Sequence, residues 1–473
     1  MLAVALIGYL TITVLVGILA SRFVNDSRDY VLAGRRLPMF LAASAMFATW
    51  FGSETILGAS SEFVTHGLLG VIEDPFGASL CLLLIGIFFA RPLYRMDILT
   101  FGDFYRVKYN QKVELIASIF LVLSYFGWIA AQLIAMGIII NVIFDLPIAI
   151  GVLVSAATML LYTYFGGMWS VSITDFMQTV IIIGGLIYLT VDVLINSNGI
   201  TPIIEQAPEH FFDMLPEPDF YSIIYYITAW ITIGLGSIPQ QDVFQRVMSA
   251  KTERIAVRAS YLGAFMYLTV AMMPLLIVLS TRLLQPDLAG LGDTQLTLPM
   301  MVLNHSSTWI KVLFFGALLS AILSTCSGAT LAPATILAEN LIRPFIRQIN
   351  DRQFLLILRL SVVFITLIAV VLALVRSNIY ELVGESSILS LVSLFVPMVA
   401  ALYWKRATAT GALLSMISGI VTWLIFQFFN FELPGVMSAL AVSGIFMVAG
   451  SLAFGKSKAA AESLAEISLS EKP

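Results

Sequence analysis

Cysteine is almost missing from this chain. Cys81 and Cys326 are the only two in 473 residues, and both fall inside apolar runs, which excludes a disulfide framework and a redox motif. The three histidines, His66, His210 and His305, stand on widely separated segments, so a transition-metal site has no ligand set to build on. No GxxxxGK(S/T) phosphate loop is present and no stretch is polar enough for a nucleotide-hydrolysing domain, which disfavours ATP-driven transport. Charge is scarce too: 11% of residues are Asp, Glu, Lys or Arg, and the net charge of −4 is divided along the chain rather than massed in a patch. No nucleic-acid footprint results. No set of nucleophile, base and oxyanion donors is visible in the apolar segments, so an enzyme is not expected.

What the chain has is hydrocarbon. Hydrophobic residues make up 59% of it and the mean hydropathy is +0.95, a composition that belongs in a lipid bilayer. Apolar windows of about 20 residues, the length that spans a ~30 Å hydrocarbon core, recur along nearly the whole sequence. They are too long and too little alternating for barrel strands, so the reading is an all-α polytopic membrane protein. Thirteen spans are expected, near 2–20, 39–62, 68–90, 113–143, 147–165, 171–195, 221–239, 257–280, 312–338, 354–375, 379–404, 410–429 and 434–454. The first lacks a basic leader and a small-residue cleavage site before Ser21, and is read as a span.

Basic residues alternate by loop. Arg22, Arg28, Arg35 and Arg36 follow span one, Arg91 to Lys112 follow span three, and Arg246, Lys251, Arg254 and Arg258 follow span seven. Arg343, Arg347 and Arg352, then Lys405 and Arg406, then Lys456, Lys458 and Lys472 continue the pattern. Segment 196–220 instead carries five acidic residues and no Lys or Arg. By the positive-inside rule the N-terminus lies outside and the C-terminus in the cytoplasm of a plasma (inner) membrane protein.

Polar groups at membrane depth are functional candidates. Span two carries Thr49, Gly52, Ser53 and Glu54 near its middle, and span seven carries Gly234, Gly236 and Pro239 before Gln240, Gln241 and Asp242. Each reads as an interrupted helix, and the two lie five spans apart, the sequence signature of inverted repeats with binding sites at the breaks. A small-residue packing face with a structurally bonded Glu54 is the plainer alternative. Span nine, from Phe315 to Asn340, sets Ser320, Ser324, Thr325, Ser327 and Thr330 in an otherwise apolar helix; back-bonding to carbonyls one turn earlier is the plainer account of those hydroxyls.

The blocks AGRRLPMFLAASAMFATWFGSETILG (33–58), YTYFGGMWSVSITDFMQ (162–178), FQRVMSAKT (244–252), LLSAILSTCSG (318–328) and FVPMVAALYWKRATATGALLSMISG (395–419) occur in this order. With them the chain resembles the sodium:solute symporters, which share the inverted-repeat fold of a leucine transporter, and its nearest flavour is the choline and proline branch. The resemblance implies a single transmembrane domain (1–473). It would hold an extra N-terminal helix and loop (1–38), a first repeat (39–195), a second repeat (221–404), two C-terminal helices (410–454) and a tail (455–473).

It implies a sodium ion held by the carbonyls of Ala48, Phe51 and Ala321 and the hydroxyls of Ser324 and Thr325. Asp175 would guide sodium release or join a second site, for which Ser327 is present but is followed by Gly328. Neutral oxygen ligands suit a small hard cation that must be released in each cycle. Solute would bind at Trp50, Ser53, Glu54, Trp128 and Gln240, with Tyr125 and Trp230 nearby. Two further cage positions of choline carriers read Ala78 and Gln240 here.

The expected function is sodium-coupled import of a small organic solute (an amino acid, quaternary amine or carboxylate) by alternating access. A proton-coupled or uncoupled carrier working through Glu54 is one alternative. A transport-like sensor is another, against which the nineteen-residue tail leaves no room for a signalling module. Solute, sodium and lipid are the expected partners, with no obligate protein partner. Glu73 and Asp74, beside Pro75, are expected to line the entrance.

Overall fold

The computed structural model describes residues 2–290, 293–346, 348–429 and 431–454. Arg347 and the tail 455–473 lie outside the described residues. Among these residues helices, turns and loops form the whole molecule, with one isolated bridge between Leu37 and Ala250.

The principal helices are α1 (Leu2–Ala20), α2 (Met39–Trp50), α3 (Ala59–His66), α4 (Ala78–Leu84), α5 (Gln111–Phe144), α6 (Ile148–Asn196), α7 (Phe220–Gly236) and α8 (Gln241–Ser249). They continue with α9 (Glu253–Leu279), α10 (Thr308–Ile336), α11 (Asp351–Ala373), α12 (Ile379–Ser390), α13 (Ala409–Phe429) and α14 (Gly435–Ala453).

Among the described residues ten helices are long and apolar enough to cross a bilayer, and eleven if the bent pair α7 and α8 is one span. The expected count of thirteen is therefore not reproduced by length and composition. Two apolar pieces fall short of that length, Met39–Trp50 and Ile148–Leu161. The first is cut by a backbone break at Phe51, whose φ and ψ of −84° and 75° leave the helical region. The second belongs to α6, a run of 49 residues in which Gly167 adopts φ 49° and ψ −141°. A Cβ there would stand 2.4 Å from the Tyr30 carbonyl oxygen, so only glycine fits this turn.

Burial sorts the helices into centre and periphery. In the α10 region (Thr308–Phe345) 89% of the most apolar window is buried, against 22% for α13 and for the α1 region. The middle of α10 is rich in Ala, Ser, Thr and Gly, small residues that let backbones approach closely where lipid offers no hydrophobic drive between helices. It packs against α2, α5, α6 and α8. Exposed Leu, Ile, Val and Phe cover the outside, as Val371, Phe428 and Ile445 illustrate, which is the surface a lipid-facing helix requires.

The basic loops meet at one end. Arg28 and Arg35 both pair with Asp97, Arg95 binds Glu253 at 2.9 Å, and the Leu37 amide bonds the Ser249 carbonyl at 3.0 Å. This last contact ties the start of α2 to the end of α8. At the opposite end Arg282 bonds the Val64 carbonyl at 2.9 Å, and the Leu68 amide bonds Phe211 at 2.9 Å.

Candidate functional site

Both interruptions in the apolar pattern are breaks in the backbone. After Trp50 the Gly52 amide turns back to the Trp50 carbonyl at 3.1 Å, and helix resumes as a π-turn over Glu54–Gly58. The Ala48 carbonyl, which an unbroken helix would pair with the Gly52 amide, is thereby released. The second break, Ser237 to Gln240, separates α7 from α8 at an angle of 48°.

Thr325 on α10 crosses to the first break, where its Oγ1 donates to the Ala48 carbonyl at 3.2 Å. Ser324, the next residue, donates to Asp175 Oδ1 on α6 at 2.5 Å. Asp175 is fully buried, and its Oδ2 has no hydrogen-bond partner among the described residues. Phe51 and Ala321 occupy adjoining positions on the same two elements and are fully buried. The structure thus joins Ala48, Ser324, Thr325 and Asp175 by direct contacts. Ser327 turns its hydroxyl to the Ser324 carbonyl at 2.9 Å. Beside it, a Cβ on Gly328 would stand 2.3 Å from Arg246 Nη2, so a guanidinium fills the space next to that glycine.

Between the breaks lies a narrow cavity of about 20 Å³, lined among others by Trp50, Glu54, Trp128 and Gln240. Glu54 accepts from Trp128 Nε1 at 2.9 Å and from Gln132 Nε2 at 2.7 Å. Gln132 in turn accepts the Ser53 amide at 3.0 Å, which fixes the strand of backbone at the break to α5. Ser53 itself is fully buried and does not line this pocket. Trp128 stacks on Tyr125, with ring centroids 6.0 Å apart, and Gln240 donates to Ser390 at 3.3 Å. Trp230 packs on Phe76 instead.

Sequence reasoning set Asp74 at the entrance, and the structure moves it. Asp74 is 1% exposed and lines the central pocket. Thr55 Oγ1 donates to its Oδ2 at 2.9 Å, while the Tyr267 hydroxyl lies 2.9 Å from both Asp74 Oδ1 and the Trp50 carbonyl. A buried carboxylate needs such donors, and the break supplies Thr55 next to it.

A second hub went unread. Asp242, at the start of α8, accepts from Trp50 Nε1 at 2.8 Å and from the Tyr125 hydroxyl at 2.5 Å. Arg246, one turn on, is 1% exposed; its Nε donates to Thr49 at 2.9 Å and its Nη1 to the Asp242 carbonyl at 3.3 Å. One acid and one base therefore clamp α2, α5 and α8 together next to the pocket. The available signal was a charge pair four residues apart, in a segment otherwise continuous with a span.

The model of the sodium:solute symporter family matches residues 30–419. The chain belongs to that family. High-affinity choline transporter 1 of Drosophila melanogaster is 27% identical over 425 residues, covering 87% of this chain and 68% of that one. The osmoregulated proline transporter OpuE of Bacillus subtilis (strain 168) is 28% identical over 433 residues, covering 88% and 87%. A solved Na+-coupled sialic acid symporter, in a substrate-bound outward-open state, superposes with a TM-score of 0.80 at 19% identity, over 94% of this symporter and 97% of that chain. The fold is the inverted-repeat transporter fold with two broken helices. As a member of the family, this symporter is an integral membrane protein that couples movement of a small organic solute to sodium.

Proposed function

We propose that one sodium ion binds where α10 meets the first break, between the carbonyls of Ala48, Phe51 and Ala321 and the hydroxyls of Ser324 and Thr325. The observation that carries this reading is the Thr325 contact to the freed Ala48 carbonyl at 3.2 Å, with Ser324 on Asp175 at 2.5 Å beside it. Carbonyl and hydroxyl dipoles match a hard cation without trapping it. Asp175, with one oxygen unengaged among the described residues, is the first acceptor the ion meets on leaving. Ser327 takes no part in a second site in this reading, since its hydroxyl is spent within α10 and Arg246 stands beside Gly328.

Solute binds in the pocket bounded by Trp50, Glu54, Trp128 and Gln240, with Ser53 setting the backbone at the break. The repeats are 39–195 and 221–404, the N-terminus faces out of the plasma membrane, and the basic face is cytoplasmic. Sodium binding draws α10 onto the broken helix and orders Gly52 to Glu54, which completes the wall on which the solute rests. Differential affinity of the two conformations for ion and solute then drives alternation. One charge moved across ~100 mV supplies ~2.3 kcal/mol, roughly a fifty-fold accumulation of a neutral solute even before the sodium gradient is counted.

Uptake in proteoliposomes tests this. An inward sodium gradient should drive accumulation of a transported solute, and an equal potassium gradient should not. Accumulation driven by a pH gradient without sodium, and lost in Glu54→Gln, would favour proton coupling instead.

A further inference from the structure

The central pocket is unbalanced in charge. Its lining includes the carboxylates of Glu54 and Asp74 and the rings of Trp50, Trp128 and Tyr267, with no Lys, Arg or His. Neither carboxylate has an ion pair among the described residues. Around the two breaks four carboxylates, Glu54, Asp74, Asp175 and Asp242, are each no more than 4% exposed. They face one buried guanidinium, Arg246, which is directed at Thr49 and the Asp242 carbonyl. A sodium ion beside Asp175 adds one positive charge and still leaves the pocket carboxylates uncompensated. Buried charge at membrane depth is tolerated when it is paired or holds a ligand of opposite sign.

The hydrogen bonds show what kind of partner is wanted. Both Glu54 oxygens receive N–H groups that can only donate, from Trp128 and Gln132, the arrangement of an ionised carboxylate. Each carboxylate oxygen accepts up to about two hydrogen bonds, and Glu54 and Asp74 have one protein donor or hydroxyl at each. Both residues line the cavity. Ser237, Ser386, Ser387, Gln240 and Ala78 line more of its wall. A quaternary ammonium has no N–H to offer such oxygens and binds best on ring faces. A protonated amine offers two or three.

We infer that the cargo is a small organic cation whose nitrogen bears hydrogens: a primary or secondary ammonium, or an amidinium. Its charged head sits between Glu54 and Asp74, and its carbon body lies against Trp50 and Trp128. A zwitterion is disfavoured because the pocket offers its carboxylate no cation. This inference rests on the pocket being the solute site of the symport cycle, but not on which ion drives that cycle.

Thermal-shift titrations of the purified full-length protein test it, in sodium and in potassium buffer, with ethanolamine, putrescine and agmatine as N–H cations. Choline serves as the quaternary cation, proline as the zwitterion, glucose as the neutral solute and pyruvate as the anion. At least one N–H cation should stabilise the protein in sodium more strongly than choline does. Its apparent affinity should fall tenfold or more in both Glu54→Gln and Asp74→Asn, whose retained response to sodium alone reports that they are folded. Stabilisation by an N–H cation in both buffers alike keeps the cargo class and removes the sodium coupling. Sodium-dependent stabilisation by proline, glucose or pyruvate, or by choline above the protonated amines, overturns the cargo class and leaves the coupling standing. A protein that responds to sodium and to no cationic probe, or variants that bind the cation as tightly as the wild type, overturn it as well.

Discussion

Thr325→Ala removes a hydroxyl that reaches from the most buried helix to the freed carbonyl of the broken one. The contact is 3.2 Å long and both residues are fully buried. Without sodium, the loss leaves the Ala48 carbonyl short of a donor, a cost of about 1–3 kcal/mol in stability. With sodium, it deletes one of five proposed oxygen ligands. A hydrogen bond or contact to a charged group is worth about 1.5–3 kcal/mol, which weakens sodium binding by roughly 10- to 150-fold at ~1.4 kcal/mol per decade. The assay is a sodium titration of thermal stability at constant ionic strength, with potassium as the balancing cation. Thr325→Ala should move the half-saturating sodium concentration upward by that factor, and Thr325→Ser, which keeps the oxygen, should stay within about threefold of wild type. Thr325→Val separates the methyl from the hydroxyl and should behave like alanine. A wild-type sodium response in Thr325→Ala would refute the ligand assignment. A serine variant as impaired as alanine would refute it too, since packing of the methyl group would then carry the effect.

Three other perturbations reach different parts of the structure. Gly328→Ala places a Cβ 2.3 Å from Arg246 Nη2 and 3.2 Å from Thr49 Cγ2, so the guanidinium must leave Thr49; overpacking of this kind costs about 1–3 kcal/mol, seen as a lower melting temperature. Asp242→Asn turns an acceptor-only carboxylate into an amide, so that one of its bonds from Trp50 and Tyr125 is lost; stability should drop by about 1.5–3 kcal/mol in chemical or thermal unfolding, with a matching loss of solute affinity as Trp50 swings free. Gly167→Ala forces a Cβ to 2.4 Å from the Tyr30 carbonyl at φ 49°, and the variant should fail to yield monodisperse protein on size-exclusion chromatography, whereas Gly184→Ala, which meets nothing within 4 Å, should purify normally.

Much of the fold was legible because lipid acts on the chain locally. A window of apolar residues must be helical wherever it sits in the bilayer, and the interruptions at Gly52 and at Gly236 to Pro239 were visible as polar and helix-breaking residues in the middle of such windows. The count of spans was less secure. The backbone leaves the helical region at Phe51 and turns at Gly167 within α6, and length and apolarity alone do not fix how many spans such divided runs make. Ser324 and Thr325 stood out as hydroxyls in hydrocarbon, and the resemblance to a symporter family supplied the role proposed for them.

The partners of the pocket were another matter. Trp50 and Asp242 are 192 residues apart in sequence, Tyr267 and Trp50 217 apart, and Ser324 and Asp175 149 apart. Asp74 was set at an entrance because it stands beside Pro75 near the end of a span, yet packing carries it into the centre against Thr55 and Tyr267. By itself the sequence determined the solvent, the helices, the alternation of loop charge and the existence of two breaks, since each follows from the transfer energy of residues close together in the chain. Only the tertiary structure decided which carboxylates face the cavity and which one, Asp242, is held by Trp50 and Tyr125. Pairing a buried charge depends on who arrives within about 3 Å of it, and that is settled by the packing of helices whose sequences lie far apart.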